Sequence, residues 1–350
     1  MKLDKLLEMT KKFQTQYWND SCSIKELTYA IERGATGATT NPVIVKGVLD
    51  SELSSYQEYI KQLITEHPHA SEDEISWMVI EKMALDGAKL LEPVFDTNKG
   101  TGRISIQTNT KYFNNTEKLV EQAVCFSNLA PNIHVKMPAT SAGIKAFEEA
   151  TYRGVSINAT VSFTATQALA VAEAVERGLA RREKEGLDNS KLNPVCTIMV
   201  GRIDDWLKQV SEKENLAIDP CALNYAGIAC VKKAYQIYKE KGYKTKLLSA
   251  AYRSHLQWSE FIGGDMIMTI PFKYQKRFNE SDVEVKARME NPVNPDYITE
   301  LRKLPDFVKA YDHMEIKDFD TFGAVNVTLE QFAGGYDDLV KIIRKFMIKY

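Results

Sequence analysis

The sequence has no excess charge of one sign and no long apolar run. Across 350 residues, 45 Lys and Arg nearly cancel 47 Asp and Glu, so the net charge of -2 provides no overall basic field to hold nucleic acid or an anionic membrane surface. No stretch approaches the ~18 uninterrupted apolar residues that a spanning helix needs, and the opening MKLDKLLEMTKKF breaks each short apolar run with charge. The expectation is a soluble, unprocessed, cytoplasmic chain with neither nucleic acid nor membrane as partner. Cysteine is sparse and irregular: Cys22, Cys125, Cys196, Cys221 and Cys230 include no CxxC pair, which suits free thiols in a reducing compartment and small buried side chains. His67 and His69 flank the helix-breaking Pro68 with no third ligand nearby, so no metal site is expected. With 18 Gly and 11 Pro against 44% hydrophobic residues, the chain is not low-complexity and can bury a large core.

What is present is alternation. Short β-prone runs recur at 16–20, 34–42, 104–110, 133–138, 156–162, 195–202, 246–252 and 266–271. Between them lie segments with helical spacing, such as Ile228, Val231, Tyr235 and Tyr238, or Leu339, Ile342, Ile343, Phe346 and Met347 in a closing helix. Ser23 and Glu26 have the spacing of a capping box. Eight strand–helix units predict parallel pairing and an eightfold β/α (TIM) barrel, with a doubly wound open sheet as the alternative. We read residues 1–350 as a single domain, with core strands over about 15–272 and an additional segment and helix over 273–350. Two further helices are expected between 50 and 98. The charged, proline-containing stretch 274–328 reads as the least regular part, and 176–191 as a solvated helix end and loop.

Several strands place polar residues at every second position: Ser105, Gln107 and Asn109; His134 and Lys136; Ser156, Asn158, Thr160 and Ser162. In an open parallel sheet both faces are covered and strands read as apolar runs. A polar face therefore points toward a barrel lumen, where it is costly unless it binds something. Lys136 is the most informative residue. Burial lowers a lysine's pKa, and the neutral amine can attack a carbonyl to form a Schiff base; the alternative is a lysine snorkelling to the barrel rim.

TTNP (39–42), GRIS (102–105), VKMPAT (135–140), NAT (158–160), VGRIDDW (200–206) and the Arg of AAYRS (251–254) together resemble transaldolase motifs in order and separation. The resemblance implies a β/α barrel that transfers a dihydroxyacetone unit between sugar phosphates through a lysine Schiff base, as in the non-oxidative pentose phosphate pathway, with no cofactor. It implies that Lys136 is the Schiff-base lysine and Asp20 the acid/base. By position alone, Asp20 also reads as a turn or N-cap residue beside Ser21 and Ser23. Asn41 and Asn158, with Thr39, correspond to residues that hold the dihydroxyacetone hydroxyls, although asparagines at strand ends also satisfy neighbouring loops. Thr160 corresponds to a residue that positions a catalytic water. Arg202 and Arg253 correspond to a pair that binds phosphate, against the alternative of structural ion pairs. Both are expected at the C-terminal ends of strands.

The sequence also departs from the pattern. Gln107 stands where most transaldolases carry glutamate; related fructose-6-phosphate aldolases also use glutamine there. Thr197 and Met199 replace a serine and an aromatic residue, and Ala251 replaces a serine. An aldolase-like lyase, an enzyme for an atypical sugar phosphate, and a non-catalytic sugar-binding barrel therefore remain as alternatives. No apolar stripe is distinct enough to name a homo-oligomer interface.

Overall fold

The computed structural model describes residues 4–348. Its strands are β1 (Gln16–Asn19), β2 (Gly37–Thr39), β3 (Arg103–Gln107), β4 (Ile133–Pro138), β5 (Ile157–Ser162), β6 (Val195–Met199), β7 (Lys246–Ala250) and β8 (Ile267–Ile270). Each pairs in parallel with its neighbours, and β8 returns to β1 to close the barrel. Closure rules out the open sheet.

Each strand coincides with a run expected from the sequence, with trimmed ends, except that β3 starts one residue earlier, at Arg103. In the 195–202 run, the strand stops at Met199 and a helix, Val200–Lys213, begins at once. Ser162 is a second correction to the expected alternation. Val161 takes a left-handed φ of 51° and the register shifts between Ala159 and Ser162. Ser162 therefore pairs with Ile198, and leaves the face it was expected to share with Asn158 and Thr160.

The period-two pattern divides the barrel into two apolar layers. Ile104, Ile106, Val135, Met137, Ile157, Ala159, Cys196 and Ile198 join the surrounding helices in the main core. On β1, Tyr17 reaches outward to donate its hydroxyl to the Ala30 carbonyl at 2.7 Å. A separate small cluster of Trp18, Val195, Leu248, Ala250 and Ile267 fills the lumen. Ile228, Val231, Tyr235 and Tyr238 are all buried, as their spacing requires. Cys22, Cys196 and Cys230 are buried, but Cys125 and Cys221 are exposed on helices, contrary to the expected burial of all five; all are free thiols.

The additions fold as helices. Pro42–Glu66, kinked at Glu52, and Glu72–Leu91 occupy the 50–98 region. The full capping box forms at Ser71 and Glu74. At Ser23 only half of the expected box forms: its oxygen accepts from Glu26 N, while its own N–H donates to Ser21 Oγ. The 274–328 stretch holds short helices Pro295–Leu301 and Pro305–Tyr311, each with proline in the first turn, where its missing N–H costs nothing. The closing helix Gly323–Met347 packs on Pro42–Glu66 and pins itself to Glu72–Leu91 through Tyr336, which stacks on Trp77 and donates to Asp73 at 2.6 Å. Among the described residues, no helix is long and apolar enough to cross a membrane.

Candidate active site

A cavity of about 540 Å³ opens at the C-terminal ends of the strands, lined by Asp20, Asn41, Lys136, Thr160, Thr197, Met199 and Arg202 among others. This is the end where strand-terminal residues of β/α barrels converge. Lys136 is 3% exposed. Its register partners are Gln107 on β3 and Asn158 on β5, so three residues singled out in the sequence lie side by side across adjacent strands. Among the described residues, the Lys136 ammonium makes one long contact, to the Thr40 carbonyl at 3.5 Å. Burial, offset in part by Asp20 and reinforced by Arg202, pushes its pKa down to about 8.

Asp20 follows β1 and receives the Thr39 hydroxyl at 2.7 Å. Burial raises its pKa, while Lys136, the Thr39 hydrogen bond and Arg202 act in the opposite direction. The N-cap of the following helix is Ser23, which disposes of the capping alternative for Asp20. Thr39 also meets the Thr269 hydroxyl at 2.5 Å, which ties β1, β2 and β8 together beneath the carboxylate.

Both asparagines have structural partners. Asn41 caps the helix Pro42–Glu66 by accepting from Ile44 N at 3.0 Å, and it also lines the cavity. Asn158 donates to Ser105 Oγ at 3.0 Å and accepts from Thr197 Oγ1 at 2.7 Å, which fixes the orientation of its amide. In contrast, the Thr160 hydroxyl and Gln107 Oε1 are buried without a partner among the described residues.

The arginines lie beyond the strand ends where they were expected. Arg202 is in the first turn of helix Val200–Lys213, and Arg253 is in the bend after β7. Gly201 permits their approach: a Cβ there would lie 2.0 Å from the Ala251 carbonyl oxygen and 2.7 Å from Arg253 Cγ. Ala251 itself has a left-handed φ of 65°, one of two such residues at this end of the barrel with Val161, and such backbone strain tends to cluster at functional sites. Arg202 is gripped by the closing helix through Gln331, with Thr328 Oγ1 at 3.5 Å, and its guanidinium lies 5.6 Å from the Phe332 ring centroid. Arg253 forms a two-point ion pair with Asp205, the arrangement that the sequence left open as an alternative.

Arg253 lines the cavity with Arg202, whereas sequence reasoning did not single out the wall residues Val43, Ile44, Tyr252, Lys273, Tyr274 and Phe332. Lys273 and Tyr274 follow β8 closely, so their distance from a strand end was an available signal. Phe332 arrives from a helix far along the chain, and no local pattern marks it.

A family model described as transaldolase/fructose-6-phosphate aldolase matches residues 17–332. The chain is 29% identical over 242 residues to transaldolase 2 of Streptomyces avermitilis, covering 67% of this chain and 64% of that protein. It is 31% identical over 216 residues to the transaldolase of Thiobacillus denitrificans, covering 60% and 58%, and 30% identical over 215 residues to that of Mycobacterium marinum, covering 59% and 56%. The chain thus spans about three-fifths of the length of these relatives. The chain belongs to the transaldolase/fructose-6-phosphate aldolase family.

Proposed function

We propose that this chain transfers a dihydroxyacetone unit from a ketose phosphate to an aldose phosphate through an imine at Lys136. The observation that carries the reading is a buried lysine with a pKa near 8 and, among the described residues, only one long hydrogen bond, facing a cavity beside a half-buried carboxylate. Near neutral pH a fraction of such an amine is unprotonated and nucleophilic.

Lys136 Nζ adds to the C2 carbonyl of the donor; loss of water from the carbinolamine gives an iminium. Asp20, as carboxylate, takes the proton from the C4 hydroxyl. The C3–C4 bond breaks, its electron pair moves into the enamine with the iminium nitrogen as sink, and an aldose phosphate departs. The enamine carbon then attacks the aldehyde of the acceptor, and the proton on Asp20 passes to the new alkoxide. Water finally hydrolyses the imine and frees the amine.

The remaining residues act on position. Thr39 orients Asp20 through its 2.7 Å hydrogen bond, and Asn158, held by Ser105 and Thr197, meets the donor hydroxyls together with Asn41. The unpartnered Thr160 hydroxyl and Gln107 amide oxygen hold the water exchanged in imine formation and hydrolysis.

A second reading is favoured by Gln107: an amide orients water but cannot take its proton, which suits an aldolase-type lyase of the same family. The two readings share the imine. Borohydride reduction in the presence of fructose 6-phosphate, followed by peptide mass mapping, is expected to trap a reduced adduct on Lys136; no adduct would remove both. Stoichiometric release of free dihydroxyacetone from fructose 6-phosphate without an aldehyde acceptor would choose the lyase.

A further inference from the structure

We propose that the N-terminal mouth of the barrel is a second binding site, separate from the catalytic cavity, for a small hydroxylated organic anion whose charge rests on Lys244 and whose hydroxyl meets His134. The inference stands apart from the imine reading, because it uses no residue of the cavity that Lys136 faces.

The strand starts leave a hollow of about 220 Å³ between Gln16 of β1, His134 of β4, Asn193 before β6, Lys246 of β7 and the loop residues Lys99 and Lys244. This end of a β/α barrel ordinarily serves stability, a role that fills space and pairs polar groups. Neither is done here. His134 is 1% exposed, and both its ring nitrogens are buried without a partner among the described residues. Its stack on Trp18 would be served as well by phenylalanine, without the desolvation penalty of two unmet polar atoms. A neutral imidazole has one N–H donor and one bare acceptor, and a hydroxyl can meet either of them.

The charge around the hollow selects an anion. Lys246 is paired with Asp265 at 2.6 Å and Lys99 with Asp96 at 3.6 Å. Lys244 has no side-chain ion pair among the described residues: its ammonium donates to the Asn189 carbonyl, and its backbone N–H to Glu176 at 2.8 Å. Asp188 and Glu176 flank it, but neither lines the hollow. Behind Asn193, Arg103 donates to carbonyl and amide oxygens and adds a second positive charge without a carboxylate among the described residues. Val195 and Ile267 supply an apolar wall for a carbon skeleton. They belong to the same lumen cluster as Ala250, which lines the catalytic cavity, so one layer of side chains separates the two sites.

The probe is 3-phosphoglycerate, which carries a hydroxyl and anionic groups, with glycerol as its uncharged counterpart. Arg202→Met serves as the background, so that anion binding in the catalytic cavity is weakened. Protein with isotopically labelled histidine is titrated at pH 7 and followed by NMR. The ring nitrogens of His134, identified by their loss in His134→Phe, are expected to shift along one saturating curve with 3-phosphoglycerate and to stay in place with glycerol. Lys244→Met should weaken this binding about tenfold, the scale of one lost charge-assisted contact, with borohydride trapping of dihydroxyacetone on Lys136 unchanged when the substitution is made in the parent. His134→Phe keeps the stack on Trp18 and should melt no lower than its background, because two unmet polar atoms are gone, while calorimetric binding of 3-phosphoglycerate weakens about tenfold. Resonances unmoved by about 10 mM probe, or undiminished affinity in both Lys244→Met and His134→Phe, would overturn the proposal. A His134→Phe variant that melts well below its background would also overturn it, by showing that the imidazole is satisfied within the fold.

Discussion

Arg103 and Lys136 are two buried cations on adjacent strands of one barrel, and they are held in opposite ways. Arg103 begins β3 and gives its guanidinium to the Pro131 and Lys191 carbonyls and the Asn193 amide oxygen, at 2.9 to 3.3 Å. Burial lowers its pKa only to about 10, so it stays charged. Near it, the lumen is closed by Trp18, which stacks on His134 at 5.5 Å between ring centroids; burial first, and Arg103 second, hold that imidazole neutral. Lys136, toward the other mouth, has one 3.5 Å contact and faces an open cavity. A buried charge held by several acceptors, as Arg103 is although its Nε has no partner among the described residues, belongs to the architecture. One whose donors are unmet destabilises the fold unless it serves chemistry.

The strongest way to break this contrast is Lys136→Met. Sugar turnover should fall by at least about 10³-fold, while the protein unfolds at higher temperature at pH 7. The folded-state pKa of Lys136, about 8, lies below its ordinary 10.5, so between these values the unfolded chain binds more protons and parental stability rises with pH. The advantage of the variant, on the order of 3 kcal/mol, should therefore be largest below pH 8 and vanish toward pH 10.5 in thermal melts. A variant less stable than the parent at pH 7 would mean that the lysine is structural after all.

At the other end of the lumen, Trp18→Ala removes the ring that closes the floor and should cost about 3–5 kcal/mol in urea unfolding, with trapping on Lys136 retained in the folded fraction. Loss of trapping at full folding would show that the two ends are not separable. Asn41→Ala should have the smallest effect, about 1 kcal/mol from the lost helix cap. If its KM rises further than this destabilisation accounts for, Asn41 contacts substrate as well as capping its helix.

The sequence pattern identified all eight strands because alternation of strand and helix is local and period two is visible in six residues. It placed Lys136, Asn158 and Gln107 on inward faces, and the structure joins them in register. The pattern failed where the chain leaves regular geometry. Val161 turns Ser162 off the expected face, and Arg202 falls in a helix that starts without a linker. It also could not see that Arg253 is paired with Asp205, since that ion pair joins segments 48 residues apart.

The order of residues along the chain determined the strands, their inward faces and the lysine that interrupts an apolar run, because each is a consequence of backbone periodicity acting over a few residues. Only the tertiary structure decided which of the inward polar groups remain unpartnered and that the closing helix brings Gln331 and Phe332 to Arg202. Hydrogen-bond partners and burial come from segments distant in sequence, and the pKa of a buried amine depends on that whole surrounding rather than on its neighbours in the chain.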